Sequence, residues 1–155
     1  MKIFRIDNSK LKNNLQFDKL IKKFNTSGVI IIENVISKNK CNKFKLLLEF
    51  YQKKYAKLIY GQKKAQKHSG LFGAKVVTNL HNKDIRFLEF LDKKNILKIA
   101  ELLLQQGSYM NSDPIMCQAF TARSPTSGSD RQQIHNDARM TGSKYPIVVQ
   151  VMYVL

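Results

Sequence analysis

The sequence predicts an α+β fold in which helices come first and antiparallel strands follow. Three observations lead there. From residue 13 to residue 107 apolar side chains recur at three- and four-residue spacing over long segments. After Gly107 the apolar runs shorten, alternate loosely and are punctuated by Gly, Pro and Ser. With 155 residues and 43% hydrophobic content, the chain is long enough to bury a core. The expected organisation is a single domain, residues 1–107 mainly helical with short strands and residues 108–155 contributing strands.

Taken in order, "NNLQFDKLIKKFNTSG" sets Leu15, Leu20, Ile21 and Phe24 at helical spacing. Gly28 follows where a left-handed residue closes a helix. "VIII" (29–32) is brief and β-branched, as a short buried strand should be. Ser37 is a good N-cap, and after it Phe44, Leu47, Leu48, Tyr51, Tyr55, Leu58 and Ile59 keep a helical rhythm to Gly61 while lysines fill the other face. Residues 61–73 contain three glycines and no period, hence a loop. "AKVVTNL" predicts a strand, "KDIRFLEFLDK" a short helix with Ile85, Leu88 and Leu91 inward, and "NILKIAELLLQQG" a helix capped by Asn95 and stopped by Gly107. "PIMCQAFTAR" (114–123) suits a strand, "SPTSGSD" a turn, "RQQIHNDA" a second strand and "TGSKYP" a loop. "IVVQVMYVL" closes the chain as a third, almost wholly apolar strand.

Composition narrows the function classes. No apolar stretch approaches the roughly 20 residues of a membrane helix. The charge-broken N-terminus lacks a signal-peptide core. A cytoplasmic protein without a membrane partner is expected. Cys41 and Cys117 stand far apart and are expected to be buried thiols rather than a disulfide or zinc pair. The net charge of +16 invites a nucleic-acid reading. That charge is confined to one part of the chain: residues 1–100 hold 23 Lys and Arg against 7 acids, residues 101–155 hold 4 against 4. A basic module for nucleic acid or another anionic surface is therefore the alternative reading. The aromatic-plus-Lys pattern after Ser37 is more simply an amphipathic helix with solvated lysines.

The chemistry-bearing stretch is "RQQIHNDARM" (131–140). On a strand, residues i and i+2 share a face, so His135 and Asp137 would project together while Asn136 points away. An imidazole nitrogen beside a carboxylate oxygen suits a borderline divalent cation. With a further His the set becomes the facial triad of non-haem Fe(II) oxygenases, whose three open positions take co-substrate and O₂.

"FNTSGVIIIENVISKN" before a long amphipathic helix, then "VVTNLHNKD", "FLEFLDKKNILKIAELLL", "FTARSP", "QQIHNDARM" and "VVQVMYVL" together resemble the phytanoyl-CoA dioxygenase family. The resemblance runs over almost the whole chain. It implies helices packed on an incomplete double-stranded β-helix of the jelly-roll or cupin-like kind, and Fe(II)/2-oxoglutarate-dependent hydroxylation of a small organic substrate with O₂. It makes His135 and Asp137 the first two iron ligands. Gln118, Cys117 and Tyr153 would lie on the co-substrate side, and Asn136 and Arg139 within reach of substrate. The family's third ligand is a His further downstream, followed by an Arg that grips the keto acid. This sequence has no His after His135, and His68 and His81 lie upstream as expected surface residues. The expectation is an N-terminal portion of an oxygenase, inactive alone, the alternatives being the basic module or a non-catalytic relative.

Overall fold

The computed structural model of the chain describes residues 3–60, 74–107, 115–125 and 146–155. These fall into two compact units. The first is built from the described parts of Met1–Lys38, Phe90–Met116 and Ala138–Val154, the second from those of Asn39–Glu89 and Cys117–Asp137.

The first unit begins with β1 (Phe4–Asp7), which pairs in parallel with β2 (Ile30–Glu33), Phe4 opposite Ile30 and Asp7 opposite Glu33. A parallel pair needs a long crossover, and α1 (Asn14–Ser27) supplies it. Its start is fixed by a reciprocal cap. The Asn13 side chain accepts from the Gln16 backbone N–H at 3.1 Å, while Gln16 Oε1 accepts from the backbone N–H groups of Asn13 and Lys12. Its end is Gly28 at φ 71°, whose N–H donates to the Phe24 carbonyl at 2.7 Å. Phe17 and Leu20 of α1 and Leu11 before it are buried against Ile99 and Leu103 of α4 (Lys94–Leu104). Ile6, Ile30, Ile32, Phe24 and Val149 pack around this cluster. Lys98 ties the two helices at the surface, its ammonium 2.9 Å from Asn14 Oδ1 and 4.5 Å above the Phe17 ring.

The second unit holds nearly all of α2 (Lys38–Tyr60) and an antiparallel pair, β3 (Ala74–Thr78) with β4 (Thr121–Pro125), Val77 opposite Ala122. Phe44 is buried and stacks with the fully buried Phe87 at 6.3 Å, and Tyr51 tilts onto the same ring. Gln52 is the one polar side chain buried among the described residues, and its amide donates to Ser124 Oγ on β4 at 2.7 Å. Phe87 lies at the end of a 3-10 turn (Ile85–Phe87) that runs into α3 (Leu88–Leu91).

Mixed helix and strand is thus what the sequence led to, and α1, α2, α4 and β3 lie where they were predicted. Several details differ. Residues 85–91 bury Phe87 and Phe90, whereas Ile85 is 78% exposed, Leu88 is exposed too and Leu91 is half-buried; it is the aromatic pair that meets neighbours, Phe87 against Phe44 and Tyr51 and Phe90 against Tyr153. Asn95 does not cap α4, which starts after Lys93; its amide donates instead to Asn8 Oδ1 at 2.9 Å. Strand geometry in the segment predicted over 114–123 begins only at Thr121. Residues 147–155 form no strand, because no described strand lies beside them to complete a ladder; Val149 and Tyr153 are the side chains that turn inward. Val29–Ile32 is half-buried or exposed rather than buried. Neither cysteine is disulfide-bonded, but Cys117 is exposed, on an irregular stretch before β4, and Cys41 is half-buried on α2. The predicted loops and strand within 61–73 and 126–145 lie outside the described residues, as do the side chains of Leu58 and Ile59.

Candidate functional site

The residues that carry the metal reading, His135 and Asp137, lie outside the described residues, together with Asn136, Arg139 and His68. Three predicted site residues are placed. Cys117 and Gln118 are exposed on the stretch leading to β4, where the Cys117 thiol points to the Ala119 carbonyl at 3.8 Å. Tyr153 belongs to the first unit. Its hydroxyl donates to the Phe90 carbonyl at 2.8 Å, and its ring meets the Phe90 ring edge-on at 4.9 Å. Burial pushes the Tyr153 phenol up to about 12, so it stays a neutral donor at physiological pH. The structure therefore places Cys117 and Gln118 in one unit and Tyr153 in the other.

His81 is exposed and its ring lies nearly parallel to Phe120, 6.4 Å away, the surface position expected of it. Among the described residues no group of three or more His, Cys, Asp or Glu could hold a metal ion. The donors the sequence singles out for a metal are the imidazole of His135 and the carboxylate of Asp137. Their chemistry fits a borderline divalent cation, and they are two of the three donors a facial triad needs.

The best-organised polar cluster among the described residues was not anticipated. Asp84 accepts from the Arg86 backbone N–H at 2.9 Å and from its guanidinium at 2.8 and 2.6 Å. These bonds hold its carboxyl down at about 2. The Tyr51 hydroxyl donates to the Lys83 carbonyl at 2.7 Å, and burial, with Asp84 nearby, pushes the Tyr51 phenol up. The Lys83 ammonium sits 4.4 Å above the Tyr55 ring, which stacks on Tyr51. Each group already has a partner, and the cluster fastens the 3-10 turn to α2. Its sequence signal was the Asp84-x-Arg86 spacing, in which a short acid caps the turn and holds the base two residues on.

Two hollows lie in the first unit. One of about 170 Å³ is lined by Asn8, Val35, Lys93 and Asn95 among others. It is smaller than the few hundred Å³ of an ordinary ligand pocket. The other, about 330 Å³, is lined by Ile3, Phe4, Arg5 and Lys23. Neither includes a predicted site residue.

Compared with known proteins, the chain matches no family model, no curated protein and no solved structure. The functional reading therefore rests on its own residues.

Proposed function

We propose that this chain carries the first part of the iron site of an Fe(II)/2-oxoglutarate-dependent oxygenase acting on a small organic substrate. The observation behind it is the succession in the sequence. A mainly helical first part leads through a strand ending near Pro125, and the sequence reaches His135-Asn136-Asp137 ten residues later. The α+β order and the antiparallel β3–β4 pair support the reading, and the fold that goes with it is a double-stranded β-helix behind N-terminal helices.

In this assignment His135 and Asp137 bind the metal and are not acid–base groups; the third ligand position is left unassigned. When bound, Fe(II) with 2-oxoglutarate and O₂ supplies oxidation of a C–H bond. The chain's own part is positioning. Asn136 and Arg139 flank the ligands on the substrate side. Gln118 and Cys117, both exposed, are free to meet co-substrate. Tyr153 belongs to the first unit, where its hydroxyl donates to the Phe90 carbonyl and its ring packs on the Phe90 ring.

The test is an anaerobic titration of the chain with Fe(II) and 2-oxoglutarate, followed by charge-transfer absorption and calorimetry. His135→Ala and Asp137→Ala should each weaken Fe(II) binding by at least about tenfold, since even loss of a residue supporting a ligand costs that much. His81→Ala should leave it unchanged. Fe(II) affinity indifferent to both site substitutions would refute the assignment.

A further inference from the structure

The predicted inward face of α2 leaves out Phe50, and the structure shows where it goes. Phe50 is 58% exposed and Leu46, one helical turn before it, is 68% exposed. The two share the solvent face at i and i+4 spacing. Lys43 lies three residues before Leu46, and Lys53 and Lys54 lie three and four residues after Phe50; all three are exposed. The adjacent Lys40 is paired with Glu89 at 2.7 Å, but Lys43, Lys45, Lys53 and Lys54 form no ion pair among the described residues. Glu49 is the single acid of α2.

An apolar pair ringed by unneutralised lysines has the charge and shape to rest on an anionic lipid surface. We propose that the Leu46–Phe50 face of α2 is a peripheral docking surface for an anionic bilayer. Leu46 and Phe50 enter the headgroup boundary, and the flexible lysine stems lie beside them with their ammonium groups among the lipid phosphates. This is contact with a membrane surface; no helix among the described residues is long and apolar enough to cross one. Nucleic acid is the less favoured polyanion. Stacking would use Phe50 but leaves Leu46 without a role, and every cation on this face is Lys, without the bidentate fork of Arg.

Because the chain contains no tryptophan, Phe50→Trp is a single reporter at the centre of the patch. Its emission should shift to the blue when phosphatidylcholine vesicles containing phosphatidylserine are added, and not with phosphatidylcholine alone. In co-sedimentation of the full chain, Lys43→Glu/Lys53→Glu/Lys54→Glu should lower partitioning on anionic vesicles by at least about a hundredfold. Each lysine near such a surface contributes about fivefold, the equivalent of about 1 kcal/mol. Leu46→Ser/Phe50→Ser should lower it at unchanged charge. The exposed set Lys19→Glu/Lys22→Glu/Lys23→Glu on α1, equal in charge, should change it far less. The proposal is overturned if the tryptophan emission does not move. It is equally overturned if the α1 set weakens binding as much as the α2 set, or if single-stranded RNA is bound through this face and vesicles are not.

Discussion

Gly28 shows how much one backbone angle decides. It closes α1 at φ 71°, and a Cβ placed there would meet nothing within 4 Å. Gly28→Ala therefore carries no packing penalty, only the left-handed conformation, which costs a side chain about 1–2 kcal/mol. Urea unfolding should show a loss of that size with an unchanged slope. Gly28→Asn should recover part of it, because Asn tolerates this region. Among the described residues two others hold positive φ without glycine, Asn34 at 58° and Asn79 at 53°. Asparagine tolerates that region too, and the Asn34 amide donates to Asp7, which also accepts from the Ser9 backbone and hydroxyl.

At the scale of elements, a buried polar contact joins helix to sheet in the second unit. Gln52 is 5% exposed, and its amide has Ser124 Oγ as partner. Ser124→Ala would leave that donor buried without an acceptor, a loss of about 1–3 kcal/mol. Adding Gln52→Leu removes the orphan and should restore most of the stability, measured as a double-mutant cycle by thermal unfolding. The helices were legible in the sequence because their signals are local: Gly28, the position of Ser37, and the apolar rhythm from Phe44 to Tyr55. β1 was not, because "FRID" alternates charge with apolar residues. Arg5 and Asp7 look like surface residues until β2 is seen beside them, where Arg5 pairs with Glu33 at 3.1 Å. The face of residues 85–91 was misread because two apolar tracks share a spacing of three there, Ile85, Leu88 and Leu91 on one and Phe87 and Phe90 on the other, and only the stacking of Phe87 on Phe44 decides between them. Residues 147–155 were misread because apolarity states a need for burial without naming what provides it. The metal pair was legible only as a spacing, since the strand expected around it would depend on pairing that the local sequence does not encode.

For the whole molecule, each unit carries, among its described residues, one carboxylate held well below its ordinary range. Hydrogen bonds from Ser9 and Asn34 keep Asp7 at about 2, and bonds from Arg86 keep Asp84 at about 2. A depressed folded value means the stabilisation is complete above the ordinary value of 3.8 and is lost as pH falls from there to about 2. The melting temperature should hold level down to about pH 4 and then fall. Asp7→Asn/Asp84→Asn should flatten that fall, as calorimetry across the range would record.

The interleaving of the first unit also bears on synthesis. Leu11, Phe17 and Leu20 find their partners in Ile99 and Leu103, more than seventy residues further along the chain. At about 5–20 residues per second a ribosome takes several seconds to deliver them. Through that interval the apolar face of α1 has only the nearby Ile6, Ile30 and Ile32 to cover it, an opening for chaperones or for stray association with neighbouring chains.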